Sequence, residues 1–365
     1  MKALVLAGGF GTRLRPLSCT RPKILFPILN KPLLYWMLEK MKANDVDEVI
    51  MAVNRQTAFQ IKQSKLQKSD IKISYSFDPP GKPLGTGGPV KRAEKLLRND
   101  DFLALNGDIF TDINYAELMK FHKKVGAIAT IALHKVDDPS RYGVAELADD
   151  GRILRFIEKP TAKMAPSNLI NAGVYAFNPK IFEYIPKGRK VSMEREVFPK
   201  LAEQGALYGY VHDGLWSDIG EVKEYLQINL YMLSLYSCDT CAPKHFDNVE
   251  LKKPVLIDDK SFVGNDSIIG PNVILGSKVY VGRNVQIRNS VIMSGVEILD
   301  NTVIDGAVIG ENVKIGRNVK INERCIIGDY AIIGDNVFLG EGVSICPAKE
   351  VLESISSAIF NAKCW

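Results

Sequence analysis

The amino-acid sequence predicts an α/β fold of the Rossmann type with a mixed, largely parallel sheet, followed by a C-terminal parallel β-helix. Two observations support this prediction: apolar runs alternate with helical stretches up to about residue 236, and a six-residue period begins near residue 255. These patterns require different architectures. We therefore expect one domain over residues 1–242 and a β-helix domain with a short tail over residues 251–365. Pro243 and the polar stretch 244–250 form the expected joint.

Residues 1–236 alternate short apolar runs, typical of buried strands, with segments of helical periodicity. The predicted strands are Ala3–Ala7, Glu48–Val53, Ile71–Ser76, Phe102–Leu105, Ala127–Leu133 and Val174–Phe177. The predicted helices are Pro32–Lys42, Pro89–Leu97 and Val222–Leu235. Proline is suited to the first turn of a helix, as in the first two of these. Strands separated by helices favour a largely parallel sheet.

From about residue 255, one aliphatic side chain recurs every six positions, with two shorter steps. The series is Ile257, Val263, Ile269, Leu275, Val281, Ile287, Ile292, Ile298, Ile304, Ile309, Ile315, Ile321, Ile327, Ile333, Leu339 and Ile345. This period indicates short strands that each place one side chain in a shared interior. Glycine usually follows, and we expect these glycines to adopt turn conformations that other residues resist. The pattern resembles the hexapeptide repeat of left-handed β-helices, with about five coils of three strands.

Composition and charge limit the partners of this chain. Its 365 residues are 46% hydrophobic and 24% charged, as expected for a globular protein. The apolar run Leu4–Ala7 is too short for a signal peptide or a membrane span, so we expect a cytoplasmic protein that binds no membrane. The net charge is +5, although residues 251–346 carry 10 Lys and Arg against 11 Asp and Glu. This excess suits a small anionic substrate, and no concentrated basic cluster indicates nucleic acid.

The six cysteines show no evenly spaced disulfide framework, so we expect reduced thiols. Cys238 and Cys241 form one C-x-x-C motif with His245 nearby. A structural zinc site needs four ligands, and no second pair lies close in the sequence. The sequence therefore disfavours metal or redox chemistry at this motif.

A glycine-rich segment follows the first predicted strand and reads L-A-G-G-F-G-T-R-L-R-P-L from Leu6 to Leu17. Its glycines are Gly8, Gly9 and Gly11. Glycine lets backbone N–H groups approach an anion without obstruction by Cβ. Glycines alone more often form a simple turn, but Thr12, Arg13 and Lys23 add donors and charge for a triphosphate. Neither the dinucleotide fingerprint nor a Walker motif is present.

Two aspartates follow apolar segments and are candidate metal ligands. Asp108 comes after the strand that ends in L-A-L-N-G-D, at the sheet edge where α/β folds bind ligands. Asp218 lies in L-W-S-D-I-G. Either aspartate alone is more often a turn residue. As a pair they suit Mg²⁺, which prefers one or two carboxylates together with phosphate oxygens and water.

The motif G-G-x-G-T-R-L-x-P-L followed by P-K resembles the signature of sugar-nucleotide pyrophosphorylases, the nucleotidyltransferases that activate sugar 1-phosphates. The resemblance covers nearly the whole chain, with Ile24 where a second proline commonly follows the lysine. It implies that Asp108 and Asp218 hold a catalytic Mg²⁺ and that Arg13 and Lys23 stabilise a nucleoside triphosphate. The implied nucleotide-binding residues are Leu6, Ala7, Gly8, Gly9, Gly11, Thr12, Gly85 and Thr86, the last two within the turn Leu84–Gly88.

The same resemblance implies a sugar-phosphate site. Glu158 in E-K-P would contact sugar hydroxyls and Lys159 the sugar phosphate, with further contacts from Asn171 and from the backbone of Gly143. Within the family, the segment Ser192–Pro199, S-M-E-R-E-V-F-P, is closest to the branch that joins GTP to mannose 1-phosphate. Uridylyl or thymidylyl transfer to glucose 1-phosphate remains an alternative.

Two other classes of function are alternatives to this one. Many hexapeptide proteins are acyltransferases that use a histidine base, but His122, His134, His212 and His245 all lie outside the repeat. This absence indicates a scaffold for assembly, and we expect a homo-oligomer, a dimer or tetramer formed through the β-helix. A catalytically silent regulatory relative would lose its charged ligands, whereas this chain keeps them.

Overall fold

The computed structural model describes residues 1–9, 11–64, 66, 71–79, 84–236, 246–357 and 364. The described residues belong to two compact units, Met1–Gly9 with Leu34–Asp218, and Phe10–Leu33 with Ile219–Trp365. The segment 10–33 therefore shares a unit with the C-terminal repeat, although it comes early in the sequence. Cys238, Cys241 and His245 lie outside the described residues.

The first 236 residues form both strands and helices. The strands are β1 (Lys2–Leu6), β2 (Pro27–Ile28), β3 (Lys31–Pro32), β4 (Glu48–Val53), β5 (Lys72–Phe77), β6 (Phe102–Asn106), β7 (Ile109–Thr111), β8 (Ala129–Lys135), β9 (Gly143–Leu147), β10 (Ile153–Glu158), β11 (Leu169–Phe177), β12 (Leu207–His212) and β13 (Trp216–Asp218). The helices are α1 (Leu33–Lys42), α2 (Arg55–Gln63), α3 (Gly87–Arg92), α4 (Glu94–Leu97), α5 (Tyr115–Val125), α6 (Phe198–Glu203) and α7 (Val222–Leu235).

A mixed sheet forms the centre of the first unit. Over the described residues it has nine strands in the order β10-β9-β11-β6-β1-β4-β5, with β8 paired to β11 and β12 paired to β8. Strands β6, β1, β4 and β5 run parallel, and β11 is antiparallel to β6. Ala3, Leu4 and Val5 of β1 are fully buried, as expected for a parallel strand covered on both faces. The predicted mixed, largely parallel sheet is confirmed.

Some elements differ from their predicted forms. The predicted helix Pro89–Leu97 begins two residues earlier, at Gly87, and is interrupted at Ala93. Strand β12 was not predicted, because its sequence L-Y-G-Y-V-H contains Gly209. A Cβ at Gly209 would lie 2.5 Å from Leu133 Cδ1, so the glycine leaves room for this leucine, and its low strand propensity hides an otherwise ordinary strand.

The C-terminal repeat forms three parallel sheets. The first contains β14 (Glu250–Leu251), β17 (Ile268–Ile269), β20 (Gln286–Arg288), β23 (Val303–Asp305), β26 (Lys320–Ile321) and β29 (Phe338–Leu339). The second contains β15 (Val255–Ile257), β18 (Val273–Leu275), β21 (Ser290–Ile292), β24 (Val308–Ile309), β27 (Ile326–Ile327) and β30 (Ser344–Ile345). The third contains β16 (Phe262–Val263), β19 (Tyr280–Val281), β22 (Glu297–Ile298), β25 (Lys314–Ile315), β28 (Ile332–Ile333) and β31 (Glu350–Val351).

This arrangement confirms the left-handed β-helix that the hexapeptide repeat predicts. Within the described residues each face has six strands and hence six coils, so the prediction of about five was too low. The additional coil arises because β14 and β31 lie outside the aliphatic series on which the prediction was based. Every residue of that series is buried, with no more than 4% of its surface exposed.

The glycines of the repeat have a different role from the one predicted. Among the glycines that directly follow the strands, Gly270 and Gly306 have a positive φ. Elsewhere the left-handed turn positions are taken mostly by asparagines, such as Asn284, Asn301 and Asn318, a residue that tolerates this conformation. A Cβ at Gly276 would lie 2.7 Å from Ser294 N of the next coil. Glycine is therefore required by the close approach of stacked coils.

Residues 20–30 and helix α7 pack along the second face of the β-helix. Asn30 Nδ2 donates to Leu275 O at 2.9 Å, and Arg21 pairs with the turns after β24 and β27. Leu233 of α7 packs against Ile274 and Val291. The segment that precedes α1 is thus fixed to successive coils of the repeat.

A disulfide joins Cys346 and Cys364, so the prediction of reduced thiols was wrong for these two residues. Their separation of 18 residues gave no recognisable framework in the sequence, because the pairing depends on the path of the tail. Cys19 is exposed and Cys325 buried, and both are free. No helix in the described part of the chain is long and apolar enough to cross a membrane.

Candidate active site

The carboxyl end of β1 is held closely between its neighbours. Ala7 N donates to Ala52 O at 2.9 Å, and Gly107 N donates to Leu6 O at 2.9 Å. A Cβ at Gly8 would lie 2.6 Å from Asp78 Oδ2, and one at Gly107 would lie 2.9 Å from Ala7 Cβ. The backbone that follows β1 therefore lies at the carboxyl edge of the sheet, where ligands of open α/β sheets bind.

The second part of the glycine-rich segment forms a tight turn. Gly11 has φ +61°, its carbonyl accepts from Leu14 N and Ser18 Oγ, and it precedes the short 3₁₀ helix Thr12–Leu14. A Cβ at Gly11 would lie 3.1 Å from Lys23 Cγ. Glycine is thus required both for its conformation and for the approach of the lysine stem. This turn positions Lys23 beside Gly11.

Arg13 lies on the same turn and remains accessible. Its Nη1 is 3.8 Å from Glu221 Oε1, and both side chains are about half exposed, at 55% and 42%. An ion pair this exposed contributes little energy. The guanidinium can therefore exchange this carboxylate for a phosphate at small cost.

Strands β7 and β13 bring the two candidate metal ligands together. Asp218 pairs with Ile109, the residue after Asp108, in an antiparallel ladder. Oδ1 of Asp218 is buried. The backbones of Asp108 and Asp218 are therefore adjacent, just beyond Gly107 at the carboxyl end of β6. Two carboxylates fit Mg²⁺, which fills its remaining positions with phosphate oxygens and water.

The turn Leu84–Gly88 is bonded to the segment that begins at Val191. Gly87 N donates to Val191 O at 2.9 Å, and Val191 N donates to Leu84 O at 3.0 Å. Gly85 has φ +72°, and a Cβ there would contact the Val191 carbonyl, so no other residue fits. Thr86 Oγ1 donates to Glu194 Oε2 at 2.6 Å and accepts from Met193 N at 2.9 Å. The threonine hydroxyl therefore fixes the turn against the segment that begins at Val191.

Glu194 contacts predicted site residues, although the sequence analysis assigned it no role. Besides Thr86, its Oε2 accepts from Ser192 Oγ at 2.8 Å. Burial, and then the negative charge of Glu194, raise the pKa of Glu158. The signal was the motif Ser192–Pro199, which indicated a branch of the family but no role for any single residue. Only the folded chain places Glu194 beside Thr86 and Glu158.

The predicted sugar-side residues Gly143 and Asn171 contact Glu158 and Tyr175, respectively. A Cβ at Gly143 would lie 2.9 Å from Glu158 Oε2, so glycine leaves room for this side chain. Asn171 Nδ2 donates to Tyr175 Oη at 3.0 Å, and Asn171 Oδ1 accepts from Gly173 N at 2.9 Å. Burial raises the pKa of Tyr175, which keeps its hydroxyl protonated as a donor.

Lys159 adopts a conformation that is rare for its residue type. Its φ is +51°, and its N–H donates to Tyr142 O at 2.9 Å. A left-handed non-glycine residue is strained and frequently occurs at functional sites. This backbone bond fixes Lys159 against Tyr142 at the end of β10.

An aromatic group connects the predicted sugar-phosphate residues to the predicted metal ligand Asp218. Trp216 Nε1 donates to Ala172 O at 2.9 Å. The ring of His134 stacks on Trp216 with centroids 5.4 Å apart, and Tyr142 approaches it edge-on at 5.5 Å. Trp216 therefore connects the Asn171–Gly173 turn to β13, which carries Asp218.

The predicted residues fall into two groups. The first unit contains Leu6, Ala7, Gly8, Gly9, Gly85, Thr86, Asp108, Gly143, Glu158, Lys159, Asn171 and Asp218. The second unit contains Gly11, Thr12, Arg13 and Lys23. Within the first unit, strand pairing places Asp218 opposite the residue after Asp108, and a hydrogen bond and charge link Thr86 to Glu158 through Glu194. Among the described residues, no three His, Cys, Asp or Glu side chains form a group that could hold a metal by themselves.

A glycine-rich backbone at the carboxyl edge of a largely parallel sheet is typical of nucleotide-binding proteins of the α/β class. The chain belongs to the nucleotidyl transferase family, whose model matches residues 2–234. A second family model, the GMPPB C-terminal domain, matches residues 251–360. Members of the nucleotidyl transferase family generally use a divalent metal ion.

Several known proteins are similar to this chain. Mannose-1-phosphate guanylyltransferase 1 of Arabidopsis thaliana is 38% identical over 275 residues, which cover 73% of this chain and 75% of the relative. The mannose-1-phosphate guanylyltransferase catalytic subunit beta of Dictyostelium discoideum is 43% identical over 242 residues, 65% of this chain and 66% of the relative. The structure of HddC from Yersinia pseudotuberculosis complexed with GMP-PN has a TM-score of 0.53 at 28% identity, covering 63% and 99% of the two chains.

Proposed function

We propose that this protein is a mannose-1-phosphate guanylyltransferase, which forms GDP-mannose and pyrophosphate from GTP and mannose 1-phosphate. The observation that supports it most strongly is the pairing of Asp218 with the residue after Asp108, beside the glycine backbone that follows β1. Relatives that carry this name are 38% and 43% identical to the chain. We extend the activity, substrates and partners of those relatives to this chain as part of the proposal.

The reaction needs no covalent enzyme intermediate. An oxygen of the sugar 1-phosphate attacks the nucleotide α-phosphate in line, the α–β phosphoanhydride bond breaks, and pyrophosphate leaves. Arg13 and Lys23 bind the triphosphate and offset the charge that develops on the leaving group, and Lys159 holds the sugar phosphate. Fixed charges of this kind are usually the largest catalytic contribution in phosphoryl-type transfer.

Asp108 and Asp218 would hold one Mg²⁺. When bound, the metal ion neutralises phosphate charge and helps align the two substrates. Glu158 and Asn171 orient the sugar by accepting and donating hydrogen bonds, while the backbone of Gly85 and Thr86 contacts the base. Carbonyl and amide groups of an exposed backbone can read a base edge in this way.

An assay over a grid of nucleotides and sugars tests the proposal. Purified protein with Mg²⁺ is given GTP, UTP, dTTP or ATP, each with mannose 1-phosphate or glucose 1-phosphate, and pyrophosphate release is measured. We expect the largest kcat/KM with GTP and mannose 1-phosphate. A clear preference for UTP or dTTP with glucose 1-phosphate would replace the substrates but keep the class, whereas no turnover with any pair would reject the enzyme.

The substitution Asp108→Asn tests the metal ligand. It keeps the size of the side chain but removes its charge, and we expect kcat to fall by about two orders of magnitude or more with the fold retained. Circular dichroism checks the fold. The exposed turn variant Asp149→Asn is the matched control and should keep wild-type turnover. Wild-type turnover in Asp108→Asn would remove this residue from the mechanism.

We also propose a cytoplasmic homo-oligomer, a dimer or tetramer assembled through the β-helix. The repeat carries no histidine base in its described residues, which leaves assembly as its expected role. Light scattering of the purified full chain measures the mass directly. A mass equal to the 40.5 kDa chain would refute the oligomer.

A further inference from the structure

A buried aspartate of the β-helix contacts the segment that carries Lys23. Asp329 follows β27 and is 2% exposed. Its Oδ2 accepts from Thr20 Oγ1 at 2.6 Å and from Arg21 Nη2 at 2.8 Å. Arg21 also donates from Nη1 to Glu311 Oε1 at 2.8 Å. Two coils of the repeat therefore hold one arginine through both ends of its guanidinium.

These contacts exceed what the repeat itself requires. At equivalent turns, Asp300 Oδ1 accepts from Arg283 N at 2.8 Å, and Asp335 Oδ1 accepts from Arg317 N at 2.7 Å. Asp329 makes the same turn bond with its Oδ1, to Glu311 N at 2.8 Å. Its second oxygen is the one that contacts Thr20 and Arg21. The coil is complete with Oδ1 alone, so the Oδ2 contacts need a separate explanation.

The ion pair is both buried and fully bonded. The side chains of Arg21 and Asp329 are 12% and 3% exposed. Burial alone would lower the pKa of Arg21, but Asp329 and then Glu311 raise it above its usual value. A buried pair costs desolvation energy and is a weak source of stability when an apolar contact could replace it. Such a pair is better explained by a need to fix the position of the arginine.

Lys23 lies between two fixed points of the chain. Arg21 is held by the β-helix, and Ile24 is 1% exposed in the hydrophobic interior. Pro22 restricts the backbone between them, with φ −72° and ψ 149°. Lys23 then starts the 3₁₀ helix Lys23–Leu25, and its stem passes over Gly11. Little freedom remains in the backbone of this lysine.

We propose that Asp329 is a positioning residue for nucleotide binding, which acts through Arg21 to place Lys23 for the triphosphate. The β-helix would then be part of the nucleotide-binding apparatus as well as a scaffold. The inference rests on the proposed function in one respect, that Lys23 binds the triphosphate. It predicts that loss of the Asp329 charge weakens binding of the nucleotide and leaves binding of the sugar 1-phosphate nearly unchanged.

The test compares Asp329→Asn with the matched variant Asp335→Asn. Both keep the oxygen that makes the turn bond, but only the first loses the charge that faces Arg21. We expect KM for the nucleoside triphosphate to rise roughly tenfold in Asp329→Asn, the effect of one charge-assisted hydrogen bond, while KM for the sugar 1-phosphate stays within about twofold. Asp335→Asn should match the wild type. Equal nucleotide KM values in all three proteins would overturn the inference.

A double-mutant cycle shows whether the effect passes through Lys23. In a Lys23→Gln background, Asp329→Asn should weaken nucleotide binding no further, because the residue that it positions is already lost. Additive losses would overturn the proposed route. If Asp329→Asn fails to fold, Arg21→Lys is used instead. The compact ammonium group of lysine cannot reproduce the contacts of the guanidinium with both Asp329 and Glu311. An unchanged nucleotide KM in that variant would equally overturn the inference.

Calorimetric binding of a non-hydrolysable nucleoside triphosphate separates this inference from the proposed reaction. If the wild type binds the nucleotide but releases no pyrophosphate with any sugar 1-phosphate, the proposed function fails. The comparison of Asp329→Asn with Asp335→Asn still applies to that binding. We expect the loss of affinity in the first variant alone.

Discussion

At the residue scale, the carboxylate of Glu194 organises the predicted base and sugar contacts. It accepts from Thr86 and Ser192 and acts electrostatically on Glu158. Thr86 was predicted to bind the nucleotide, but its hydroxyl is bonded to Glu194 and Met193. A sequence motif identifies residues that act together but not which of them bond each other. The motif therefore indicated the glycines and charged residues as candidates, whereas the contacts of Glu194 could not be predicted from it.

The substitution Glu194→Gln is predicted to change the pH dependence of activity. Its negative charge contributes to the raised pKa of Glu158, so removing that charge lowers this pKa. Glu158 accepts hydrogen bonds from the sugar when it is ionised. The acid limb of kcat/KM for the sugar 1-phosphate should therefore move to lower pH in the variant.

The matched control for this experiment is Glu203→Gln, an exposed glutamate at the end of α6. The sugar phosphate titrates in the same way in assays of the wild type, Glu194→Gln and Glu203→Gln. A shift of the acid limb seen only in Glu194→Gln is therefore due to the enzyme. An acid limb that stays in place, or moves to higher pH, would contradict the electrostatic link to Glu158.

At the element scale, Glu48 connects the three parallel strands β1, β4 and β5. Lys2 Nζ lies 3.3 Å from Glu48 Oε2, Lys72 Nζ lies 3.1 Å from Oε1, and Ser74 Oγ donates to Oε1 at 2.7 Å. The bond from Ser74, together with the two lysines, lowers the pKa of Glu48 to about 2. The ionised form is therefore favoured in the folded protein.

We predict that this carboxylate contributes stability above its unfolded pKa and that the contribution is lost as pH falls. The relevant window runs from the ordinary value of 4.5 to about 2. Glu48→Gln should be less stable than the wild type by about 1 kcal/mol near neutral pH, with the difference shrinking through that window. Urea unfolding at several pH values measures it. A difference independent of pH would contradict the prediction.

How accurately a helix or strand was predicted depends on whether residues nearby in the sequence determine it. Strand β4 and helix α7 match their predicted bounds because each has a continuous apolar pattern. Helix α5 has a clear cap, in which Asn114 Oδ1 accepts from Glu117 N at 3.0 Å, but it was not predicted. In the repeat, the periodic aliphatic residues predicted the core correctly. The reason for its glycines lies in the neighbouring coil, which a single hexapeptide does not contain.

At the scale of the whole molecule, the tail is tied to the second unit by the disulfide between Cys346 and Cys364. Arg15 belongs to the glycine-rich segment, and its Nη1 donates to Cys364 O at 2.9 Å. The tail therefore contacts the loop that carries Arg13 and Lys23 within one compact unit. Linear spacing could not reveal either contact.

We predict that reduction of this disulfide destabilises the second unit. A cross-link over 18 residues stabilises by about 3 kcal/mol in the chain-entropy model, so dithiothreitol should lower the unfolding temperature by a few degrees. Scanning calorimetry measures the change, and mass spectrometry of peptides checks the bond. Cys346→Ser is the control, since its unfolding temperature should already be low and unaffected by reductant. A wild-type transition indifferent to reductant would count against the bond.

The path of residues 20–30 along the β-helix has a consequence for how this protein can change in evolution. Asn30 is bonded to the coil of β18, whereas Arg21 is bonded to the turns after β24 and β27. Neighbouring coils are separated by about 4.8 Å, so one coil gained or lost between these contacts would leave either Asn30 or Arg21 without its partner. Coils beyond Asp329 lie outside the span between these two contacts. The number of coils between β18 and β27 should therefore stay constant among relatives.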